Sequence, residues 1–185
     1  MNISPDSYTV LESRLMLKHP RARIIIDTLE HGEQRFEQFY IESPVNGVAI
    51  VALTPEGQVL LTRHYRHAIR QVIYDLPAGH LTPDEDPLAG AVRELEEETG
   101  FRAGRIEPLG AYSLLPGMFK ATIYLFFATD LVPTQQHLDP GEELEVVVLP
   151  FAEALAMVLR GECPDGSLQL GLLLAAQKGL VPSEG

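Results

Sequence analysis

Cysteine is nearly absent from this chain of 185 residues, since Cys163 is the single one. One cysteine excludes an internal disulfide and any metal site built from cysteines alone, and it is typical of a reducing cytosol. No thiol-activating pattern surrounds Cys163 in the sequence. We therefore expect a passive thiol at this position and a cytoplasmic protein.

Long hydrophobic runs are also absent. No apolar stretch approaches the ~20 residues that a transmembrane helix needs. The first residues, 1–6, do not combine a basic segment with an apolar one, so they do not resemble a secretory signal. The sequence therefore predicts no association with a membrane.

Positive charge is scarce, with 14 Lys and Arg against 26 Asp and Glu and a net charge of -12. This balance argues against tight binding to a nucleic-acid backbone, which requires basic patches. It does not exclude a small phosphorylated molecule, because clustered carboxylates can bind divalent cations that in turn bind phosphates. The position of the acidic residues thus becomes the main question.

The pattern of apolar residues predicts strands and helices in an irregular order. A first hairpin is predicted over 23–28 and 35–41, and a second over 47–53 and 58–63. Further strands are predicted at 106–112, 122–128 and 145–149, and helices at 86–99, 151–160 and 167–178. Because strands and helices do not alternate regularly, the chain is predicted to be an α+β sandwich.

The predicted helix over 86–99 is unusually acidic. Pro87 at its start and Gly100 after its end are typical of helix boundaries, and Leu88, Val92, Leu95 and Thr99 form its predicted buried stripe. Glu94 and Glu98 lie one turn apart on one face, with Glu97 beside them. Like charges at this spacing are destabilising, so a cation with oxygen ligands is expected nearby. A solvated acidic face is the alternative.

The segment 79–101 resembles the Nudix box, Gly-x5-Glu-x7-Arg-Glu-U-x-Glu-Glu-x-Gly-U, in which U is a bulky, mostly aliphatic residue. The matching residues are Gly79, Glu85, Arg93, Glu94, Leu95, Glu97, Glu98, Gly100 and Phe101. The probability that such a match arises by chance is on the order of 10⁻⁷. The resemblance implies a Nudix α/β/α sandwich that hydrolyses a nucleoside diphosphate linked to another group, using Mg²⁺ or Mn²⁺.

The resemblance also implies roles within the box. Glu94 and Glu98 would be metal ligands, Glu97 a further or water-mediated ligand with a possible catalytic role, and the Ala78 carbonyl a backbone ligand. Gly79 would let the backbone approach the metal and the substrate phosphate. Glu85 and Arg93 would orient the ligands from behind.

Features outside the box resemble the ADP-ribose pyrophosphatase branch. They are Leu76-Pro77-Ala78 before Gly79, Pro116-Gly117 starting 15 residues after Phe101, and His64-Tyr65-Arg66. The resemblance makes Arg66, Gly79, Pro116 and Gly117 candidate substrate contacts. The chain departs from the branch in having Asp75 where Glu is usual and His64 where Gln is usual, and it lacks the Trp that some relatives stack on adenine. The possible replacements for that Trp are Tyr8, Phe36, Phe39 and Tyr40.

The acidic loop over 139–146 resembles the mobile loop that supplies a catalytic Glu in that branch. Aligning Leu144-Glu145-Val146 with the usual Ile-Glu-Val places Glu142 at the functional position, with Glu143 as the close second. The alternative is a solvated loop without a catalytic role.

The resemblance thus implies Mg²⁺-dependent hydrolysis of ADP-ribose to AMP and ribose 5-phosphate. GDP-mannose or another nucleoside diphosphate derivative is an alternative substrate, and a nucleotide sensor without turnover is a further alternative. Residues 1–43 are predicted to form an antiparallel strand extension that builds a homodimer, and residues 44–180 the Nudix domain.

Overall fold

The structure, a computed structural model, describes residues 4–43, 45–139 and 141–181. It divides into two compact units. The first unit comprises Met1–Val45 and Ser113–Thr122, and the second comprises Asn46–Tyr112 and Ile123–Gly185. The predicted boundary after residue 43 falls at Pro44, which lies outside the described residues.

Within the described residues the chain forms eleven strands and three α-helices. The strands are β1 (Thr9–His19), β2 (Ala22–His31), β3 (Gln34–Glu42), β4 (Gly47–Leu53), β5 (Gln58–Arg66), β6 (Gln71–Asp75), β7 (Ala78–His80), β8 (Phe101–Tyr112), β9 (Phe119–Lys120), β10 (Ile123–Pro133) and β11 (Leu144–Pro150). The helices are α1 (Pro87–Thr99), α2 (Phe151–Leu159) and α3 (Gly166–Gln177). A short 3₁₀ turn, Pro5–Ser7, precedes β1.

The first unit contains a four-stranded sheet in the order β1-β2-β3-β9. Strands β2 and β3 pair antiparallel from Arg23↔Glu42 to His31↔Gln34, which confirms the first predicted hairpin. Gly32 has a φ of 59°, the left-handed conformation that its tight turn requires. Strand β1, whose bounds within the predicted strand extension the sequence analysis did not define, pairs antiparallel with β2 and forms the edge of the sheet.

The second unit is built on a mixed sheet in the order β11-β5-β4-β10-β8, with β6 paired to β5 and β7 to β4. Strands β4 and β5 pair only at Ala52↔Leu60 and Leu53↔Val59. The second predicted hairpin is therefore confirmed but short, because β7 pairs with the first half of β4, opposite Gly47, Val48 and Ala49.

The two faces of this sheet carry two separate apolar clusters. Every residue of β4 is buried, and its side chains alternate between the clusters. Val48, Ile50 and Ala52 pack with Leu95 of α1, whereas Ala49, Val51 and Leu53 pack with residues of α2 and α3. The arrangement confirms the predicted α+β class and α/β/α sandwich.

Helix α1 has the predicted ends. The Asp86 side chain accepts hydrogen bonds from the backbone N–H groups of Leu88 and Ala89, and Gly100 ends the helix with a φ of 68°. The predicted buried stripe is wrong in its first turns, since Leu88 is 41% exposed. The buried residues are Gly90, Ala91, Leu95, Glu98 and Thr99. The helix is rotated so that Gly90 faces Leu81, where a Cβ atom would lie 2.2 Å from the Leu81 Cδ2 atom.

No helix among the described residues is long and apolar enough to cross a membrane.

Candidate active site

The site begins where β7 passes α1. The backbone N–H of Ala78 donates a hydrogen bond of 2.8 Å to Oε2 of Glu98. At Gly79 a Cβ atom would lie 2.1 Å from the carboxyl carbon of Glu94. The carboxylates of Glu94 and Glu98 therefore lie against the backbone of β7. Gly79 is the residue that makes room for Glu94.

Glu98 is a buried carboxyl group, with 5% of the residue exposed. Burial, and to a smaller extent the charges of Glu94 and Glu142, raise its pKa to about 8, while the Ala78 hydrogen bond and the charge of Arg66 oppose the rise. Burial is also the main reason that the pKa of Glu94 is raised. The two groups therefore resist carrying negative charge together unless a cation approaches.

In the metal-free protein, the free energy of unfolding is expected to fall as the pH rises from about 5 to about 8. Between the ordinary pKa of 4.5 and the raised pKa of about 8, the folded chain keeps a proton on Glu98 that the unfolded chain releases. Each pH unit in this window then favours unfolding by up to about 1.4 kcal/mol. Urea unfolding in a chelator at several pH values measures this slope.

The control for that measurement is Glu98→Gln, which cannot titrate and should flatten the slope between pH 5 and 8. An equal slope in the two proteins would contradict the assignment of this pH dependence to Glu98.

Arg93 lies at the centre of the remaining carboxylates. Its Nη1 donates to Glu94 at 2.8 Å and to Glu97 at 2.9 Å. Its Nε and Nη2 each donate to Glu85 at 2.9 Å, and Nη2 also donates to the His80 carbonyl. The hydrogen bonds from Arg93 and Thr82 lower the pKa of Glu85 to about 2. One guanidinium thus offsets part of the like-charge repulsion along α1.

Across the residues that the structure describes, no three His, Cys, Asp or Glu side chains converge as a metal-binding group. Glu94 and Glu97 are instead bonded to Arg93 by the hydrogen bonds described above. The donor chemistry nevertheless fits a hard divalent cation. Glu98 is a buried carboxyl whose proton a cation would replace, Glu94 lies close to it, and the residues offer oxygen ligands throughout.

The segment that precedes the acidic loop, residues 134–137, is attached to the end of α1. The backbone N–H groups of Thr134 and His137 donate to the carbonyls of Gly100 and Glu97. The Gln136 side chain donates a hydrogen bond of 2.6 Å to the Glu98 carbonyl. No sequence motif distinguishes Gln136, so its contact could not be predicted. These bonds tie the segment before the acidic loop to the helix that carries the candidate metal ligands.

Glu142 is the loop residue whose charge reaches the site. Its charge contributes to raising the pKa of both Glu94 and Glu98. Its own backbone N–H donates to the Asp139 carbonyl at 3.0 Å, and Gly141 has a φ of 90°. Glu143 is exposed beside it, and Pro140 lies outside the described residues. The charge of Glu142 thus acts on two carboxyl groups of the box, while its catalytic role and that of Glu143 stay predictions.

Arg66 is the remaining candidate in the second unit. Its Nε donates a hydrogen bond of 2.7 Å to Asp75, and its side chain is 45% exposed. Its positive charge acts on Glu98, whose pKa it lowers. The sequence marked Asp75 as a departure from the branch but gave it no role, so this partner of Arg66 was missed.

The other candidate residues belong to the first unit. Pro116 and Gly117 lie in a turn within Ser113–Thr122. Of the aromatic candidates, Tyr8 is stacked on His31 with ring centroids 4.5 Å apart. Phe36 and Phe39 are exposed, and burial raises the pKa of Tyr40. Their contacts with substrate stay predictions.

Comparison with known proteins gives matches along most of the chain. The family model described as the NUDIX domain matches residues 43–164. An ADP-ribose pyrophosphatase of Bacillus subtilis (strain 168) is 34% identical over 140 residues, covering 71% of this chain and 76% of the relative. A GDP-mannose pyrophosphatase of Yersinia pestis (strain Pestoides F) is 37% identical over 149 residues, covering 75% of this chain and 74% of the relative.

A solved structure shares the fold. The crystal structure of an ADP compounds hydrolase superposes with a TM-score of 0.86 at 23% identity, covering 97% of this chain and 98% of that one.

Proposed function

The chain belongs to the NUDIX domain family, and from that premise we propose that it hydrolyses the pyrophosphate bond of a nucleoside diphosphate sugar. The proposed substrate is ADP-ribose and the products are AMP and ribose 5-phosphate. The observation that carries the proposal is the pair formed by the half-buried Glu94 and the buried Glu98, which lie against Gly79 and Ala78 and are acted on by the charge of Glu142. The relative named ADP-ribose pyrophosphatase supports the choice of substrate.

The proposed cofactor is Mg²⁺, with Mn²⁺ as a possible substitute. Glu94, Glu98 and the Ala78 carbonyl would hold it, with Glu97 as a further or water-mediated ligand. Carboxylate and carbonyl oxygens are the ligands that these hard cations prefer. When bound, the metal would neutralise pyrophosphate charge and make a bound water more acidic.

Around this centre, the proposed roles follow from the contacts. Glu85 and Arg93 would fix the orientation of Glu94 and Glu97, since Arg93 bonds to all three carboxylates. Arg66 would bind a phosphate or ribose oxygen, because its guanidinium is half exposed and acts on Glu98. Gly79, Pro116 and Gly117 remain predicted substrate contacts.

The proposed base is Glu142, which would take a proton from the attacking water. The water oxygen forms a bond to one phosphorus atom as the bond from that phosphorus to the bridging oxygen breaks. The bridging oxygen leaves with the other phosphate, so one water is consumed for each pair of products. Glu143 and Glu97 are the alternative bases.

A GDP-sugar is the second candidate substrate, because a GDP-mannose pyrophosphatase is also among the relatives at 37% identity. A nucleotide sensor without turnover is less well supported. All four Glu of the box are present, and three of them are tied to one arginine rather than released to solvent.

The test is turnover of ADP-ribose against GDP-mannose with Mg²⁺, followed by chromatography of the products. We expect the higher kcat/KM with ADP-ribose and a loss of about 10²–10⁴-fold in kcat for Glu142→Gln. Glu143→Gln should lose less. Glu145→Gln is the matched control, since it removes only an exposed ion pair with Arg63. Turnover of neither substrate by the unaltered chain would refute the proposal.

We further propose that residues 1–43 build a homodimer and that residues 44–180 form the catalytic domain. Support comes from β1, an edge strand with exposed apolar side chains that include Val10, Leu15 and Leu17. Sedimentation equilibrium at micromolar concentration should give twice the chain mass, and a monomer would refute this part.

A cytoplasmic location is also proposed, since Cys163 is free and buried and its pKa is raised by burial. Recovery of the native protein outside the cytoplasmic fraction of its cells would refute it.

A further inference from the structure

The carboxylate of Asp75 is buried and unusually crowded on one side. Asp75 is 1% exposed, yet its Oδ2 atom has three nitrogen neighbours. His64 Nε2 lies 2.6 Å away, Arg66 Nε 2.7 Å and Arg66 Nη2 2.5 Å. Oδ1 is buried without a hydrogen-bond partner among the described residues. The hydrogen bonds that the Asp75 carboxylate accepts thus come from Arg66 and His64.

The strand ladder explains how these groups meet. Strands β5 and β6 pair antiparallel, with Thr62 opposite Asp75 and Arg66 opposite Gln71. Because side chains alternate along a strand, His64 and Arg66 lie on the same face of β5. Arg66 thus reaches back along the ladder to Asp75 at its far end. The contact fixes the guanidinium of a side chain that is otherwise long and flexible.

The positive charge of the Arg66 guanidinium acts on more than one acidic group. Its charge lowers the pKa of Glu98 and also that of Asp165, the residue that caps α3. Asp165 in turn has its pKa raised by burial and by the charge of Asp75. The contact with Asp75 uses Nε and Nη2, and the side chain stays 45% exposed, which leaves the Nη1 edge for ligand oxygens.

We propose that Asp75 is the positioning residue for Arg66, holding the guanidinium in the orientation in which it binds the substrate phosphate or ribose. The proposal rests on the proposed function, in which Arg66 contacts the nucleotide sugar. His64 completes the arrangement by bonding to the same oxygen. A purely structural ion pair that joins β5 to β6 is the rival explanation.

A double-mutant cycle on kcat/KM separates the two explanations. Arg66→Ala and Asp75→Asn are each expected to lower kcat/KM for ADP-ribose, Asp75→Asn by about 10–100-fold and mainly through KM. The double variant should be no worse than Arg66→Ala, because Asp75 acts through Arg66. Losses that multiply in the double variant would overturn the proposal, as would an Asp75→Asn that loses stability but keeps its kcat/KM.

Conservative variants keep the test decisive if Asp75→Asn fails to fold. Asp75→Glu retains the charge and should recover part of the lost activity. Arg66→Lys retains a cation but cannot make the two-nitrogen contact, so its kcat/KM should fall by at least about 10-fold. Full activity of Arg66→Lys would overturn the proposal.

A spectroscopic readout does not depend on turnover. In the substrate-free protein, the Arg66 Nε–H resonance should exchange slowly with water and should lose this protection in Asp75→Asn. Glu107→Gln, which removes the exposed partner of Arg105, is the control and should leave it unchanged. An unprotected Arg66 Nε–H in the unaltered chain would overturn the proposal.

The two failures are distinguishable. If the unaltered chain turns over no nucleotide sugar, the proposed function fails, and this inference fails with it, even where Arg66 is protected. If the unaltered chain is active and Asp75→Asn equals it in kcat/KM, only this inference fails.

Discussion

Glu98→Gln is expected to lower kcat for ADP-ribose by at least about 10²–10³-fold. The carboxylate is buried, accepts the Ala78 N–H, and has a pKa raised to about 8 by burial and by neighbouring acids. A charge in that position has a large electrostatic effect because little solvent screens it. The amide keeps the shape of the side chain but cannot supply that charge. Steady-state kinetics over a range of Mg²⁺ concentrations measures the loss.

Glu96→Gln is the matched control on the same helix. Glu96 lies outside the fixed positions of the box and pairs with Arg102 at 2.9 Å on the outer side. Its replacement should change kcat less than about twofold, because exposed ion pairs contribute little. Equal losses in Glu96→Gln and Glu98→Gln would mean that a general change in helix charge, rather than one ligand, lowers the activity.

The fold could be predicted largely because its apolar strands are continuous and its helix ends are marked. The run in β4 and the Asp86, Pro87 and Gly100 signals around α1 depend on local chemistry, and the structure confirms them. Strand β1 could not be predicted in the same way. All of its residues are exposed, so no alternation of buried and exposed positions identifies it.

In the candidate site, too, some residues could be predicted from the sequence and others could not. The carboxylates of the box occur at fixed spacing, so the sequence alone identifies them. Asp75 and Gln136 act through contacts that arise only after folding, one across a strand ladder and one from a loop to a helix carbonyl. The buried stripe of α1 was misjudged at Leu88, because the small residues Gly90 and Ala91 are buried in the first turns instead, with Gly90 against Leu81.

The distribution of charge within the site links stability to function. The pKa values of Glu94 and Glu98 are raised, whereas the pKa of Glu85 is lowered, although all three residues belong to the same box. The opposite pKa shifts follow from the hydrogen-bond donors. Glu85 accepts hydrogen bonds from two nitrogens of Arg93 and from one backbone N–H, whereas the buried Glu98 accepts one hydrogen bond from a backbone N–H. Neighbouring carboxyl groups whose pKa values are shifted in opposite directions are typical of functional sites.

Gly79→Ala is expected to lower kcat/KM by about 10²-fold while changing the free energy of unfolding by less than about 1 kcal/mol. A Cβ atom at this position would lie 2.1 Å from the Glu94 carboxyl carbon. The backbone itself tolerates alanine, since Gly79 is not among the glycines with positive φ. The end of the flexible Glu94 side chain must therefore leave the position from which we propose that it holds the metal.

Gly110→Ala provides the comparison, because its Cβ atom would meet only Leu174 Cδ1 at an ordinary 3.5 Å. We expect this variant to match the unaltered chain in kcat/KM and in urea midpoint. Raising the Mg²⁺ concentration should recover part of the activity of Gly79→Ala, because a displaced ligand weakens metal binding before it abolishes it. If Gly79→Ala loses stability and activity together, a disrupted β7 rather than a displaced Glu94 accounts for the loss.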